Sequence, residues 1–306
     1  MNSKKVNRLF FVMILVHLVV VGLLSFVFTD VTIGIVPSLL LSQMIVAVPA
    51  AIFWFTSKGQ RKQLLAFCKV KISSLLMIIL FTYLMMPLTT VLNAVSMLFV
   101  DNAVAGISKD VLDMPFLVMF FVMAVFAPFS EEVVFRGVVY RGYRNSGTTL
   151  QAMLLSALLF GLIHMNFNQA PYAFVLGIVL VLLVEATGSI WASVLFHVVF
   201  NANSVCLLFL TEKLLPDIDL EESAAVVGDE QWMISICVYM VIAFITTAIA
   251  ACVLTWIADN EGRLDVLKAI WTERKNIKGK MLTGVFWVAL LLCMAYMIFT
   301  TVILGV

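Results

Sequence analysis

Two adjacent carboxylates and an arginine lie inside an apolar stretch of this sequence, in the motif SEEVVFRG at residues 130–137. A charged side chain in an apolar interior costs about 3 kcal/mol or more, so such residues usually serve a function. Glu132 and Arg136 are four residues apart and share one face of a helix, where Arg136 stabilises the ionised form of Glu132. Glu131 is rotated by about 100° and faces a different neighbour. The spacing predicts one carboxylate fixed in an ion pair and one free for chemistry.

Two of the three histidines have a companion at helical spacing. His164 follows Phe160 by four residues in FGLIH, and Asn201 follows His197 by four residues in HVVFN. A carboxylate beside an imidazole activates water as a general base, and a His–Asn face donates hydrogen bonds to a developing oxyanion. These groups therefore suit hydrolysis of an amide without a covalent intermediate.

The chain also offers a metal site as an alternative use of the same side chains. Histidine and glutamate are zinc ligands, so Glu131, His164 and His197 would hold the metal if one is used. The HExxH motif is absent, however, and Arg136 would repel a cation. We therefore expect no required cofactor and make no firm prediction of a metal ligand, with a divalent metal such as zinc as the alternative.

The elements that position these residues are membrane helices. The chain of 306 residues is 63% hydrophobic and 12% charged, against about 25% charged residues in soluble domains. A membrane helix needs about 20 apolar residues. Such runs occur at approximately 9–28, 35–56, 72–100, 114–143, 149–166, 171–187, 189–210, 233–257 and 282–304. We expect an all-α, polytopic transmembrane helical bundle, with eight or nine membrane helices around an intramembrane polar cavity and a single membrane domain over residues 1–306.

The placement of basic residues predicts the orientation of this bundle. Lysine and arginine concentrate in the N-terminal tail and in the connections 57–71 and 258–280. Basic connections favour the cytoplasmic side, so the N-terminus is expected there. The net charge of +1 gives no reason to expect a nucleic-acid partner. The lipid bilayer is the expected surrounding, and the sequence indicates no oligomeric state.

The sequence leaves open how Glu131 and His164 come to lie at the same depth in the membrane. A hairpin with its turn near Gly147 brings them to similar levels, but the polar stretch 166–169 places His164 near a membrane edge. Pro128 interrupts a helix and Ser130 is a good N-cap, so one alternative is a helix break there. The other is that the 166–171 loop folds into the cavity.

Three short motifs, EEVVFR, FGLIH and HVVFN, resemble in this order the EExxxR, FxxxH and HxxxN motifs of the CPBP family of CAAX proteases and bacteriocin-processing enzymes, also called abortive-infection-like proteins. The resemblance covers about residues 115–205, which we take as a catalytic CPBP-like core. It implies peptide-bond hydrolysis inside the membrane. It also implies site roles: Glu131 as the base that activates water, His164 assisting, Glu132 and Arg136 supporting, His197 and Asn201 forming the oxyanion site, and Phe160 packing against the site.

The resemblance also implies a biological setting. We expect a glutamate-dependent endopeptidase that cleaves a membrane-associated peptide or protein, in peptide maturation or processing, as an integral multi-pass protein of a bacterial cell membrane. One alternative is a non-proteolytic membrane regulator or immunity protein that uses the same fold to bind a partner. Another is an ion-coupled transporter, which would show repeated halves; the sequence contains no such repeat.

Overall fold

The computed structural model describes residues 2–26, 33–56, 65–103, 105–215, 229–276 and 279–304, and these ranges are predominantly helical with no strand. The helices are α1 (Ser3–Phe26), α2 (Ile35–Thr56), α3 (Ile72–Ser96), α4 (Ser108–Leu112), α5 (Phe116–Arg144), α6 (Thr149–Leu162), α7 (Gln169–Thr187), α8 (Ile190–Leu214), α9 (Asp229–Asn260), α10 (Leu264–Thr272) and α11 (Gly284–Ile298). The predicted all-α bundle is confirmed.

Within the described ranges, eight helices are long and apolar enough to cross a bilayer, namely α1, α2, α3, α5, α7, α8, α9 and α11. The remaining apolar run, 149–166, forms α6. This helix has only 14 residues, fewer than the roughly 20 that a full crossing requires. Large apolar side chains on the outside of the bundle, such as Phe26 and Leu117, are about four-fifths exposed. The protein is therefore an integral multi-pass membrane protein whose outer surface suits lipid.

Helix α5 carries the glutamate pair and is continuous through Pro128. Its register changes twice, because Phe120–Phe126 and Val133–Tyr140 are π-helical and flank the α-helical turn Ala127–Glu132. Ser130 does not cap a new helix; its hydroxyl lies 2.9 Å from a carbonyl oxygen of the preceding turn. The helix break near Pro128, one of the two alternatives drawn from the sequence, does not occur; Pro128 lies at the start of the α-helical turn, directly after a wider π-helical segment.

Helices α6 and α7 form a tight hairpin at two glycines. A Cβ on Gly177 would lie 2.8 Å from the Cα of Ala157, and one on Gly161 would lie 2.7 Å from the carbonyl oxygen of Ala170. Small residues of this kind let membrane helices approach backbone to backbone. A capping box at Thr148 fixes the start of α6. The position of α6 is thus set at both ends.

The polar connection between α6 and α7 packs inside the bundle. The Asn168 side chain donates to Oδ1 of Asn93 at 2.9 Å and accepts from the Ala103 N–H at 3.2 Å. The Asn166 amide donates to the carbonyl of His164 at 2.9 Å. Buried polar groups need such partners. Of the two arrangements considered for bringing His164 and Glu131 together, the helix does not break, and the connection instead folds against the end of α3.

Candidate active site

Glu132 is fully buried and shares one carboxylate oxygen between two partners. Arg136 Nη1 donates to Oε1 of Glu132 at 2.9 Å, and His197 Nδ1 lies 3.0 Å from the same oxygen. The ion pair predicted from the four-residue spacing is therefore present, and α8 adds the histidine from 65 residues away. Because Arg136 favours an ionised Glu132, which only accepts hydrogen bonds, we assign the Nδ1 proton of His197 to this contact.

The ring of Phe160 lies at the centre of this group and is almost completely buried. The guanidinium carbon of Arg136 is 4.2 Å from the ring centroid, a cation–π contact. The rings of His164 and His197 approach the same phenyl ring edge-on, with centroid distances of 5.2 and 5.9 Å. One aromatic side chain therefore contacts both predicted site histidines and the arginine that supports Glu132.

Glu131 has a neighbour that Glu132 lacks, Gln43, and shares His197 with Glu132. Its Oε1 accepts from the amide Nε2 of Gln43 on α2 at 2.9 Å, and its Oε2 lies 3.8 Å from Nε2 of His197. Its side chain is 16% exposed, whereas that of Glu132 is not exposed at all. Glu131 is thus the carboxylate that has no arginine as a direct partner and remains partly exposed.

Gln43 belongs to no sequence motif and was not predicted as a site residue. Its one signal is that it is the only long polar side chain within the apolar α2, and such a residue in a membrane helix usually bonds a neighbouring helix. The pattern did not indicate which helix that neighbour would be.

His164 lies just beyond the end of α6. Its Nδ1 is 2.8 Å from the carbonyl oxygen of Phe160, one turn earlier. Met165, the next residue, has a left-handed φ of 55°, a conformation that is uncommon for a large side chain and often occurs at functional sites. Within the described chain, His164 makes no hydrogen bond with Glu131. It joins the site through its contact with the Phe160 ring.

Asn201 lies one turn after His197 on α8. Its Nδ2 donates to the backbone carbonyl of Met123 on α5 at 3.0 Å. The second Nδ2 hydrogen is not used by this bond. Asn201 is therefore anchored to α5, the helix that carries both glutamates.

The described ranges contain no group of three or more His, Cys, Asp or Glu side chains placed to hold a metal ion. The guanidinium of Arg136 supplies a positive charge beside this group, which disfavours a cation, whereas the contact of His197 Nδ1 with Glu132 leaves Nε2 available as a ligand. Glu131, His164 and His197 are therefore not grouped as metal ligands among the described residues, and the absence of a required cofactor stays a prediction.

The fold and the site together define a polytopic helical membrane protein with a buried glutamate–histidine–arginine centre. The family of Rce1-like type II CAAX prenyl endopeptidases matches residues 113–203, which include every site residue predicted from the sequence. This match confirms, for that segment, the resemblance to the CPBP intramembrane proteases that the three motifs indicate. Searches of curated proteins and of solved structures found no significant match.

Proposed function

We propose that this protein is a glutamate-dependent intramembrane endopeptidase that hydrolyses a peptide bond in a membrane-associated peptide or protein, as a step in peptide maturation or processing. The observation that supports this proposal most directly is the distance of 3.8 Å between Oε2 of Glu131 and Nε2 of His197. This separation is too long for a direct hydrogen bond, and it leaves both atoms within reach of one shared water molecule.

Glu131 acts as the general base in this mechanism. It removes a proton from the water, and the resulting hydroxide attacks the carbonyl carbon of the scissile bond. The tetrahedral intermediate then collapses, and the protonated Glu131 gives its proton to the leaving amine. One water molecule is consumed: its oxygen enters the new carboxyl group, and one of its protons reaches the new amine.

The paired charges orient the histidine that faces this reaction. Glu132 accepts from Arg136 and from Nδ1 of His197, which fixes the imidazole ring. When Nε2 also carries a proton, His197 is an imidazolium stabilised by two carboxylates. It then donates a hydrogen bond to the oxyanion that develops on the substrate carbonyl oxygen.

Asn201 and His164 complete the proposed site. Asn201 keeps one amide hydrogen beyond the one that it gives to Met123, and we assign this hydrogen to the oxyanion. His164 uses Nδ1 for the carbonyl of Phe160, which leaves Nε2 to help orient the attacking water. This mechanism uses water and protein groups alone.

The direct test uses the purified full-length protein in lipid nanodiscs with two internally quenched peptides. One peptide ends in a farnesylated cysteine followed by three residues, and the other has the same sequence without the farnesyl group. We expect cleavage of at least one of them by the wild type, at a bond identified by mass spectrometry. Glu131→Ala should lower the rate by about 100- to 10,000-fold, the usual contribution of a general base.

A matched control is Glu185→Gln. Glu185 is also a buried glutamate in a membrane helix, but it accepts from Tyr140, which is not one of the site residues. We expect this variant to cleave at close to the wild-type rate, and we expect 1,10-phenanthroline to leave the wild-type rate unchanged. Unchanged cleavage by Glu131→Ala would contradict the proposal. An inert wild type, with a cellular phenotype that still depends on Glu131, would favour a non-proteolytic regulator.

A further inference from the structure

Gln43 on α2 links two residues of the motif that carries the glutamate pair. Its Nε2 donates to Oε1 of Glu131 at 2.9 Å, and its Oε1 accepts the hydroxyl hydrogen of Ser130 at 2.5 Å. The family match over residues 113–203 does not include α2. We propose that Gln43 is a positioning residue for the reaction, which holds one oxygen of Glu131 so that the other faces the attacking water. This inference rests on the proposed function.

The hydrogen-bond chemistry fixes the direction of this chain. The Ser130 hydroxyl has one hydrogen and lies 2.5 Å from Oε1 of Gln43 and 2.9 Å from the carbonyl oxygen of Ala127, so we assign this hydrogen to the shorter contact. Gln43 then accepts through Oε1, which leaves Nε2 to donate to Glu131. A reversed amide would place its oxygen against the carboxylate, and two acceptors would then face each other. The chain Ser130–Gln43–Glu131 therefore has one favourable orientation, which Ser130 and Glu131 set from its two ends.

Gln43 is uncharged, which suits a residue that positions the general base Glu131. The Arg136 cation beside Glu132 strongly favours the ionised carboxylate, and a carboxylate so stabilised is a poor proton acceptor. An amide restrains the carboxylate through a single hydrogen bond and adds no full charge. The two adjacent glutamates thus have partners that match different tasks: a cation for the fixed charge and an amide for the proton carrier.

The rotation of α2 directs this one side chain towards the site. Gln43 is half-buried, whereas Met44, the next residue, is exposed on the outer face. Ile45 and Val46, a short distance further along, are buried in the bundle. The polar side chain therefore faces protein because of the way the helix packs. Ser42, whose hydroxyl donates to the carbonyl of Leu39 on its own helix, provides a matched polar control in the same turn.

The test measures kcat and KM with the two quenched peptides for Gln43→Leu, Ser130→Ala and the double variant in nanodiscs. Gln43→Leu keeps the approximate size of the side chain and removes its hydrogen bonds. We expect kcat to fall by about 10- to 100-fold, the range for a hydrogen bond to a charged group, with KM within about twofold of wild type. Ser130→Ala should have a smaller effect in the same direction.

The double variant separates positioning from general damage to the helix contact. Because Ser130 acts through Gln43, Gln43→Leu/Ser130→Ala should be no slower than Gln43→Leu alone. Ser42→Ala should match the wild type. If Gln43→Leu proves unstable by size-exclusion chromatography and thermal unfolding, the milder Ser130→Ala decides: a wild-type kcat in that variant overturns the inference.

Other outcomes distinguish this inference from the proposed function. If Glu131→Ala is inactive but Gln43→Leu keeps the wild-type kcat, only the role of Gln43 is wrong. Fully multiplicative losses in the double variant also overturn it, since they show two independent effects. If Glu131→Ala cleaves as fast as the wild type, or the wild type cleaves neither peptide, the proposed function and this inference fail together.

Discussion

The side-chain amide of Asn201 donates to the backbone carbonyl of Met123 at 3.0 Å, across the contact between α8 and α5. In this π-helical part of α5, N–H groups bond to carbonyls five residues earlier, as Ala127 does with Val122. The next pair in the series is Pro128 with Met123, but proline has no N–H. Asn201 therefore supplies the donor that the sequence of α5 lacks.

This relationship predicts that Asn201→Ala destabilises the protein and that a second change in α5 restores it. The single variant leaves a carbonyl without its partner, at a cost of about 1–3 kcal/mol. Pro128→Ala returns an N–H to the matching position. The double variant Asn201→Ala/Pro128→Ala should therefore unfold at a higher temperature than Asn201→Ala, as measured by differential scanning fluorimetry in detergent.

Peptide cleavage by the same double variant separates the two roles of Asn201. If Asn201 also donates to the oxyanion, the stabilised double variant remains slow, by about 100-fold in kcat. Recovery of the full wild-type rate would instead show that Asn201 acts only by completing the hydrogen bonding of α5. Pro128→Ala alone serves as the reference for both measurements.

The buried pair of Glu132 and Arg136 predicts that removal of one charge destabilises the protein more than removal of both. Arg136→Met leaves the carboxylate without its cation in a fully buried position, and breaking a buried pair in this way typically costs about 3–5 kcal/mol. Removal of both charges in Glu132→Gln/Arg136→Met leaves no unpaired charge. The double variant should therefore be more stable than Arg136→Met alone.

Arg144→Met provides the control for this cycle, because Arg144 lies at the end of the same helix and is only partly buried. Its unfolding temperature should stay close to that of the wild type. An Arg136→Met variant as stable as Arg144→Met would mean that the carboxylate of Glu132 is already neutral in the folded protein.

The sequence was sufficient to predict those parts of the site that depend on local geometry. The pairing of Glu132 with Arg136 follows from a four-residue spacing on one helix, and the different surroundings of Glu131 follow from its rotation. Gln43 could not be predicted in this way, because it reaches Glu131 from 88 residues earlier in the chain. Its position depends on how α2 packs against α5, which no local pattern specifies.

The shape of α5 shows the same limit. A proline in an apolar helix predicts a kink or a break from local sterics. The neighbouring helix α8 changes that outcome, because Asn201 donates to the carbonyl of Met123, which Pro128 leaves without a backbone donor. The number of membrane helices, by contrast, was predictable from hydropathy to within one, since every apolar run must hydrogen-bond its own backbone within the bilayer.

The two ring nitrogens of His197 have different partners, so His197→Asn and His197→Gln should differ in kcat. Asn places its amide nitrogen near the position of Nδ1 and keeps a donor towards Glu132. Gln extends one carbon further and keeps a donor near the position of Nε2, which faces Glu131 at 3.8 Å. If Nε2 stabilises the oxyanion, His197→Gln should lose about tenfold in kcat and His197→Asn about 100- to 1,000-fold.

The order of these two rates is the informative measurement. A faster His197→Asn than His197→Gln would place the essential role at the contact with Glu132 instead of at the oxyanion. His197→Phe removes both donors while keeping a ring against Phe160, and it should be at least as slow as the slower amide variant. Thermal unfolding of all three variants checks that the fold is retained.

The glycine contact between α6 and α7 predicts a link between packing and the position of His164. Alanine at Gly177 would place its Cβ 2.8 Å from the Cα of Ala157, so the two helices must separate. Overpacking of this kind costs about 1–3 kcal/mol. Because α6 ends at Leu162, two residues before His164, the shift should also lower kcat.

Gly22→Ala on α1 is the control for Gly177→Ala. A Cβ added at Gly22 would have no neighbour within 4 Å, and alanine at this position should leave stability equal or slightly higher. Equal unfolding temperatures for the two alanine variants would show that α6 and α7 are free to move apart without cost.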